Sequence, residues 1–311
     1  MSKIQLPVIV TPSRVELGLR CQRRHVLSDI VQVASFYSPS LEFGSVVHAG
    51  AASWWNDDGE GSAMAREWHK RFEMNPKINR GDLSLEMANA MMNAYREKAM
   101  LAGPFDAEGP WQLVSVEDRI ELPLSTGFFE DGTERKFILS FQTDRVVWNK
   151  ETKHLVVVDT KTAGRLDKRW ARQWETSLQM KLYKACAVAA YDMEPENVSV
   201  VVEGVLKDVP STIQYEVCPD WSADTLGEAV NQARIVALRD YDLIASSTEG
   251  IPRDRHLVVN DALVNTAINY MSCYEYGVEC PFRKLCTAEP EERIGILNGE
   301  YFEIPEADQG Y

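Results

Sequence analysis

The stretch "HLVVVDTKTA", residues 154–163, decides how the chain is read. Its uninterrupted β-branched run is the pattern of a central strand buried on both faces of a sheet. The run nevertheless carries Asp159 and, two positions later, Lys161. Side chains alternate along a strand, so these two charges share a face while Thr160 points the other way. Taken alone, such a pair reads better as a salt bridge closing a strand than as half of a site.

The neighbouring segments change the balance. "RKFILSFQTDRVVWN" (135–149) reads as a strand, and the polar "NKETK" that follows reads as a turn. A loop of two or four residues preserves strand parity. If it centres between Glu151 and Thr152, Asp144 lies opposite Asp159. Two carboxylates and one ammonium then converge on one face. Like charges placed directly opposite are unfavourable without something between them. A divalent cation fills that role, and oxygen ligands suit magnesium or manganese. Downstream, Gln179 and Tyr183 are spaced to share a helix face. Upstream, His48 lies in "FGSVVHAG", part of an apolar helix over 41–56, where it is either a core residue or a ligand.

The surrounding pattern predicts an α/β fold. Strands are expected at 112–124, 135–149, 154–163, 197–207 and 212–219, with helices at 13–33, 84–101 (Ser84 as N-cap), 171–193 and 222–246. Residues 57–83 are polar and irregular in pattern.

The ordered set Gly44-x-x-x-His48, Asp144-Arg145 followed by apolar residues, Asp159-Thr160-Lys161 and Gln179-x-x-x-Tyr183 resembles the RecB family of PD-(D/E)XK nucleases. The third element carries Asp where Glu is commoner. The resemblance spans roughly 13–290 and implies a restriction-endonuclease-like core, a central mixed sheet flanked by helices. It implies that His48, Asp144, Asp159 and the carbonyl of Thr160 bind Mg2+ or Mn2+, and that Lys161 positions the attacking water. Gln179 and Tyr183 would contact the substrate strand or steady the lysine. Glu117, on the first strand, reads as structural or as an outer support of the site.

Cys273, Cys280 and Cys286 follow a C-x6-C-x5-C spacing, unlike the C-x2-C of a zinc ribbon. A fourth ligand is needed, and Cys21 is the candidate from the other end of the chain. Cys186 and Cys218 sit in apolar patterns and read as small core residues. One early and three late cysteines resemble the 4Fe-4S ligands of AddB-type helicase-nuclease subunits and CRISPR-associated RecB-like exonucleases. The gap between Cys273 and Cys280 is longer than is usual there. A zinc site and free thiols remain open as alternatives. A metal there would join the N- and C-terminal segments and couple its binding to folding.

The net charge of -14 argues against polyanion binding by the whole surface. Local basic clusters suit a DNA groove: Arg20, Arg23 and Arg24 flank Cys21, and Arg165, Lys168, Arg169 and Arg172 interleave with Trp170 and Trp174. A solvated turn and helix start is the alternative for the second cluster. Acidic residues gather after Glu289, giving an expected solvated tail at 291–311 behind a single nuclease domain over 1–290 with a helical insertion at about 57–110. No apolar run is long enough for a membrane span, and no secretory leader is recognisable, so a cytoplasmic protein is expected. The expected function is that of a metal-dependent DNA exonuclease acting on DNA that is single-stranded or has a free end, with a helicase or integrase as partner. The alternative is a DNA-binding module that keeps the fold without turnover.

Overall fold

The computed structural model describes residues 8–30, 34–35, 39–57, 59–74, 81–101, 109–124, 137–248, 266, 269, 273, 279–297 and 302–303. Its strands are β1 (Val8–Val10), β2 (Ala34–Ser35), β3 (Trp111–Val116), β4 (Arg119–Leu124), β5 (Phe137–Gln142), β6 (Arg145–Asn149), β7 (His154–Ala163), β8 (Val198–Leu206), β9 (Ile213–Val217) and β10 (Phe302–Glu303). The main helices are α1 (Pro12–Arg20), α2 (Gln22–His25), α3 (Pro39–Trp55), α4 (Glu60–Trp68), α5 (Leu85–Leu101), α6 (Lys168–Arg172), α7 (Leu178–Ala190) and α8 (Ala223–Thr248). Two compact units divide the chain: Ser38–Leu122 with Ser140–Val230, and Met1–Tyr37 with Pro123–Leu139 and Asn231–Tyr311.

The unit containing Asp159 is built on a five-stranded mixed sheet in the order β3-β6-β7-β8-β9. The apolar strand β7 is central, antiparallel to β6 and parallel to β8. Parallel pairing requires a crossover, and α6 and α7 supply it. Ser177 caps α7 by accepting from the Met180 N–H at 3.4 Å, and Asp167 caps α6. The β6–β7 hairpin closes with the side chain of Asn149 accepting from the N–H groups of Glu151 and Thr152, both at 3.0 Å. Arg145 pairs with Val158. That register sets Asp144, one residue beyond the strand end, against Asp159.

The helical part of this unit packs α3, α4 and α5 around Phe43, Val47, Met64, Phe72, Met91 and Tyr95. Ser84 caps α5 as the sequence suggests, accepting from the Met87 N–H at 3.1 Å. Helix α4 and a π-helical turn over His69–Glu73 occupy a stretch with no clear sequence period. Here Arg71 ties the helices together, bonding Glu42 at 2.7 Å and Glu67 at 2.6 Å.

Two expected strands are each broken. The 135–149 stretch bends at Thr143–Asp144, and 112–124 bends at Glu117–Asp118; residues 135–136 lie outside the described residues. Each bend satisfies the other's backbone: the Glu117 N–H donates to the Asp144 carbonyl at 3.1 Å, and the Thr143 N–H to that of Asp118 at 3.3 Å. Glu117 adopts a left-handed φ of 52° to do so, an uncommon conformation for a residue other than glycine and one that clusters at functional positions.

In the other unit β1 runs parallel to the start of β5. His25 is buried against Asp240 of α8, its Nε2 2.9 Å from both carboxylate oxygens. The expected tail at 291–311 is partly structured. A helix covers Pro290–Leu297, and β10 pairs antiparallel with β2; 298–301 and 304–311 lie outside the described residues. Among the described residues, no helix is long and apolar enough to cross a membrane.

Candidate active site

The site is assembled where β6, β7, α3 and the Glu117 bend meet. Helix α3 comes close to β7 because residue 44 is glycine: a Cβ there would stand 3.0 Å from the Thr162 hydroxyl. One turn later on the same helix, His48 Nδ1 lies 2.9 Å from Asp144 Oδ1. The other Asp144 oxygen accepts from the backbone N–H of Thr160. Next to it, Lys161 Nζ lies 3.1 Å from Asp159 Oδ1 and 2.9 Å from Oδ2. Asp159 is nearly inaccessible, at 3% exposure, whereas Lys161 keeps its ammonium partly open to solvent.

Helix α7 contributes the far wall. Gln179 Nε2 donates to the Tyr183 hydroxyl at 2.9 Å, so the i, i+4 pair forms as its spacing requires. Tyr183 is buried beside Asp159, with its ring 5.5 Å from that of Phe141. Burial first, and then the Asp159 charge, keep this phenol well above its usual range, so it is a neutral donor.

The electrostatics of the cluster favour a cation. Burial pushes the Asp159 carboxyl upward, and Asp144 adds to the push against the opposing pull of Lys161. Glu117 is likewise raised, by burial and then by Asp144. Burial opposes the charges of Asp144 and His48, but their mutual attraction wins: Asp144 is lowered and His48 raised. Three carboxylates thus crowd one place where two resist ionising. Among the described residues, His48, Glu117 and Asp144 form a group whose ligand atoms all lie within 4.8 Å of one another. Among the described residues, Asp159 Oδ2 is buried with no aligned hydrogen-bond donor, and the Lys161 ammonium lies 2.9 Å away. This oxygen-rich set with one imidazole fits a small divalent cation such as Mg2+ or Mn2+. In the sequence Glu117 stands out only as half of a charged pair, Glu117-Asp118, that interrupts a strand pattern.

A family model for the PD-(D/E)XK nuclease superfamily matches residues 9–287. The chain belongs to the PD-(D/E)XK nuclease superfamily. No curated protein matches. Among solved structures, a Eubacterium rectale protein named as a putative exonuclease aligns at 14% identity and a TM-score of 0.43, over 75% of this chain and 80% of its own. A protein called SSO0001 aligns at 11% and 0.33, over 76% of this chain and 79% of its own.

The nuclease's other sequence-derived residues fall into two sets. Arg165, Lys168, Arg169 and Arg172 are exposed along the β7–α7 connection. Trp170 is not an open stacking platform: it is 8% exposed, and its ring covers Gly204 of β8, where a Cβ would come within 2.6 Å of it. Trp174 packs edge-on to Trp170 at 5.8 Å and is half-buried. Arg23 is also withdrawn from any DNA surface, being buried and donating to the Thr266 carbonyl at 2.8 Å. Arg20 pairs with Glu16 one helical turn away. Arg24 lies near Cys280.

The four cysteines share one neighbourhood. Burial raises the Cys286 thiol to about 11, with Arg23 opposing and Cys280, Cys21 and Cys273 adding to the rise. Cys280 is raised by burial too, and also feels Cys273 and Cys21. The Cys280 N–H donates to the Cys273 carbonyl at 2.8 Å. Cys186 and Cys218 are buried core residues.

Proposed function

We propose that the protein is a metal-dependent deoxyribonuclease, an exonuclease acting on DNA that is single-stranded or has a free end. The observation that carries the reading is the meeting of His48, Glu117 and Asp144 beside the Asp159–Lys161 pair. A bound Mg2+ or Mn2+ would supply Lewis acidity, easing deprotonation of a water and offsetting phosphate charge. His48, Glu117, Asp144, Asp159 and the Thr160 carbonyl would hold it. Lys161, anchored by Asp159, orients the attacking water and faces the charge that grows on the phosphate. Tyr183, fixed by Gln179, would line the site as a neutral phenol beside Asp159. The exposed Arg165, Lys168, Arg169 and Arg172 give the DNA backbone a path on a chain that is otherwise acidic, with Trp174 as the remaining ring for stacking.

Cys21, Cys273, Cys280 and Cys286 are proposed to hold a 4Fe-4S cluster of structural role; the four neighbouring thiols support this, with zinc as the competing occupant. A helicase or integrase partner would deliver DNA ends.

End-labelled linear DNA and closed circular single-stranded DNA, each with Mg2+ or Mn2+, test the reading. Release of short labelled products from linear DNA with the circle intact is expected. Cleavage of the circle would replace the exonuclease assignment with an endonuclease one.

A further inference from the structure

On the far side of β7 from Lys161 lies a fully buried ion pair. Arg145 and Glu203 are 1% and 0% exposed, and they meet through two hydrogen bonds of 3.0 and 2.7 Å. Glu203 is the β8 partner of Thr160 in the sheet register, and the Thr160 hydroxyl donates to its Oε2 at 3.0 Å. Arg145 also donates to the Tyr95 hydroxyl at 2.7 Å, which in turn accepts from the Trp55 indole at 2.9 Å. The Trp55 ring lies 4.8 Å below the guanidinium.

A buried ion pair is a poor means of gaining stability, since an apolar pair of similar volume often does as well. Its placement suggests another use. Arg145 directly follows Asp144, and Thr160 stands between Asp159 and Lys161. The same Thr160 donates its N–H to Asp144. One rigid salt bridge therefore grips both strands at the residues that aim the acidic cluster. Bidentate geometry fixes direction as well as distance, and an outer support of this kind typically changes metal affinity or activity by about 10- to 100-fold when removed.

We infer that Arg145 and Glu203 are positioning residues: through the Thr160 hydroxyl they hold Asp144 and the Asp159–Lys161 strand in the geometry that binds the divalent cation. The inference rests on the nuclease reading above. It identifies a function for the buried ion pair on the far face of the sheet.

The test compares wild type with Thr160→Val, which keeps shape and β-branching but removes the donor, and with Thr160→Ser, which restores it. Mn2+ binding is measured by calorimetry without DNA, and kcat and KM on labelled DNA, at a temperature where all are folded by circular dichroism. Thr160→Val is expected to bind Mn2+ about 10-fold more weakly and to lose about 10-fold in kcat, with KM for DNA within about twofold. Thr160→Ser should recover most of both. A second variant, Arg145→Met with Glu203→Leu, replaces the whole pair by apolar groups and should fold yet show the same loss. Wild-type Mn2+ affinity and kcat in folded Thr160→Val or in the folded double variant would overturn the inference, as would failure of both to fold. A wild type that neither binds Mn2+ nor cleaves DNA would instead overturn the nuclease reading.

Discussion

His48 and Asp144 meet at 2.9 Å although 96 residues separate them in the chain. The contact joins an apolar helix to the end of a sheet strand. It forms because Gly44 lets the helix approach β7 and because the chain bends at Thr143–Asp144 instead of continuing straight.

This pair makes metal binding pH-dependent. Burial opposes the charge of each, but Asp144 raises His48 and His48 lowers Asp144. The His48 contribution to stability is complete below its unfolded value of about 6.5 and is lost as pH rises through its higher folded value. The Asp144 contribution is present above about 3.9 and is lost as pH falls through its lower folded value. A cation needs the neutral imidazole. Mn2+ affinity measured by calorimetry should therefore strengthen as pH climbs from about 6.5 through that higher folded value. His48→Ala should weaken binding and flatten this dependence; an unchanged slope would remove His48 from the ligand set.

Gly204, the β8 partner of Lys161, predicts a stability effect. A Cβ there would lie 2.5 Å from Leu166 and 2.6 Å from the Trp170 ring. Gly204→Ala should cost about 1–3 kcal/mol by overpacking, read from urea unfolding midpoints. Trp170→Ala combined with Gly204→Ala should cost less than the sum of the two single changes, because the clash disappears with the ring.

The cysteine neighbourhood predicts a chromophore. Protein purified without oxygen should be brown and contain iron and inorganic sulfide, and Cys21→Ala or Cys286→Ala should remove the colour and lower the unfolding temperature. A colourless wild type containing zinc would assign the site to zinc.

The exposed bases predict a salt effect. Replacing Lys168, Arg169 and Arg172 together by Ala should raise KM with little change in kcat and flatten the dependence of log KM on log salt by up to about one unit per lost phosphate contact. Unchanged salt dependence would place the strand elsewhere.

Much of this site could be read from order and spacing because strand and helix periods are rigid. The alternation along 154–163 fixed the shared face of Asp159 and Lys161, and the loop parity placed Asp144 opposite. The hydroxyl of Gln179's partner, Tyr183, was reachable by the same helical arithmetic. What escaped depends on tertiary contact. Glu117 joins the cluster only because two bends exchange backbone hydrogen bonds. Trp170 looked like an aromatic beside basic residues until Gly204 gave its ring a place to pack. Arg23 looked like a surface cation until the Thr266 carbonyl provided a buried acceptor. The Arg145–Glu203 pair is invisible in the sequence because Arg145 sits on β6 and Glu203 on β8, strands that flank β7 and are not neighbours in the sheet.

The central claim is that Asp159 and Lys161 act on DNA through a bound divalent cation. The direct measurement is a time course of labelled linear DNA with Mn2+, Mg2+ or excess chelator, using wild type, Asp159→Ala and Lys161→Ala, each confirmed folded. The account predicts cleavage by wild type that chelator abolishes, and a loss of about 100-fold or more in each variant. Chelator-resistant cleavage, or wild-type rates in both variants, would contradict it.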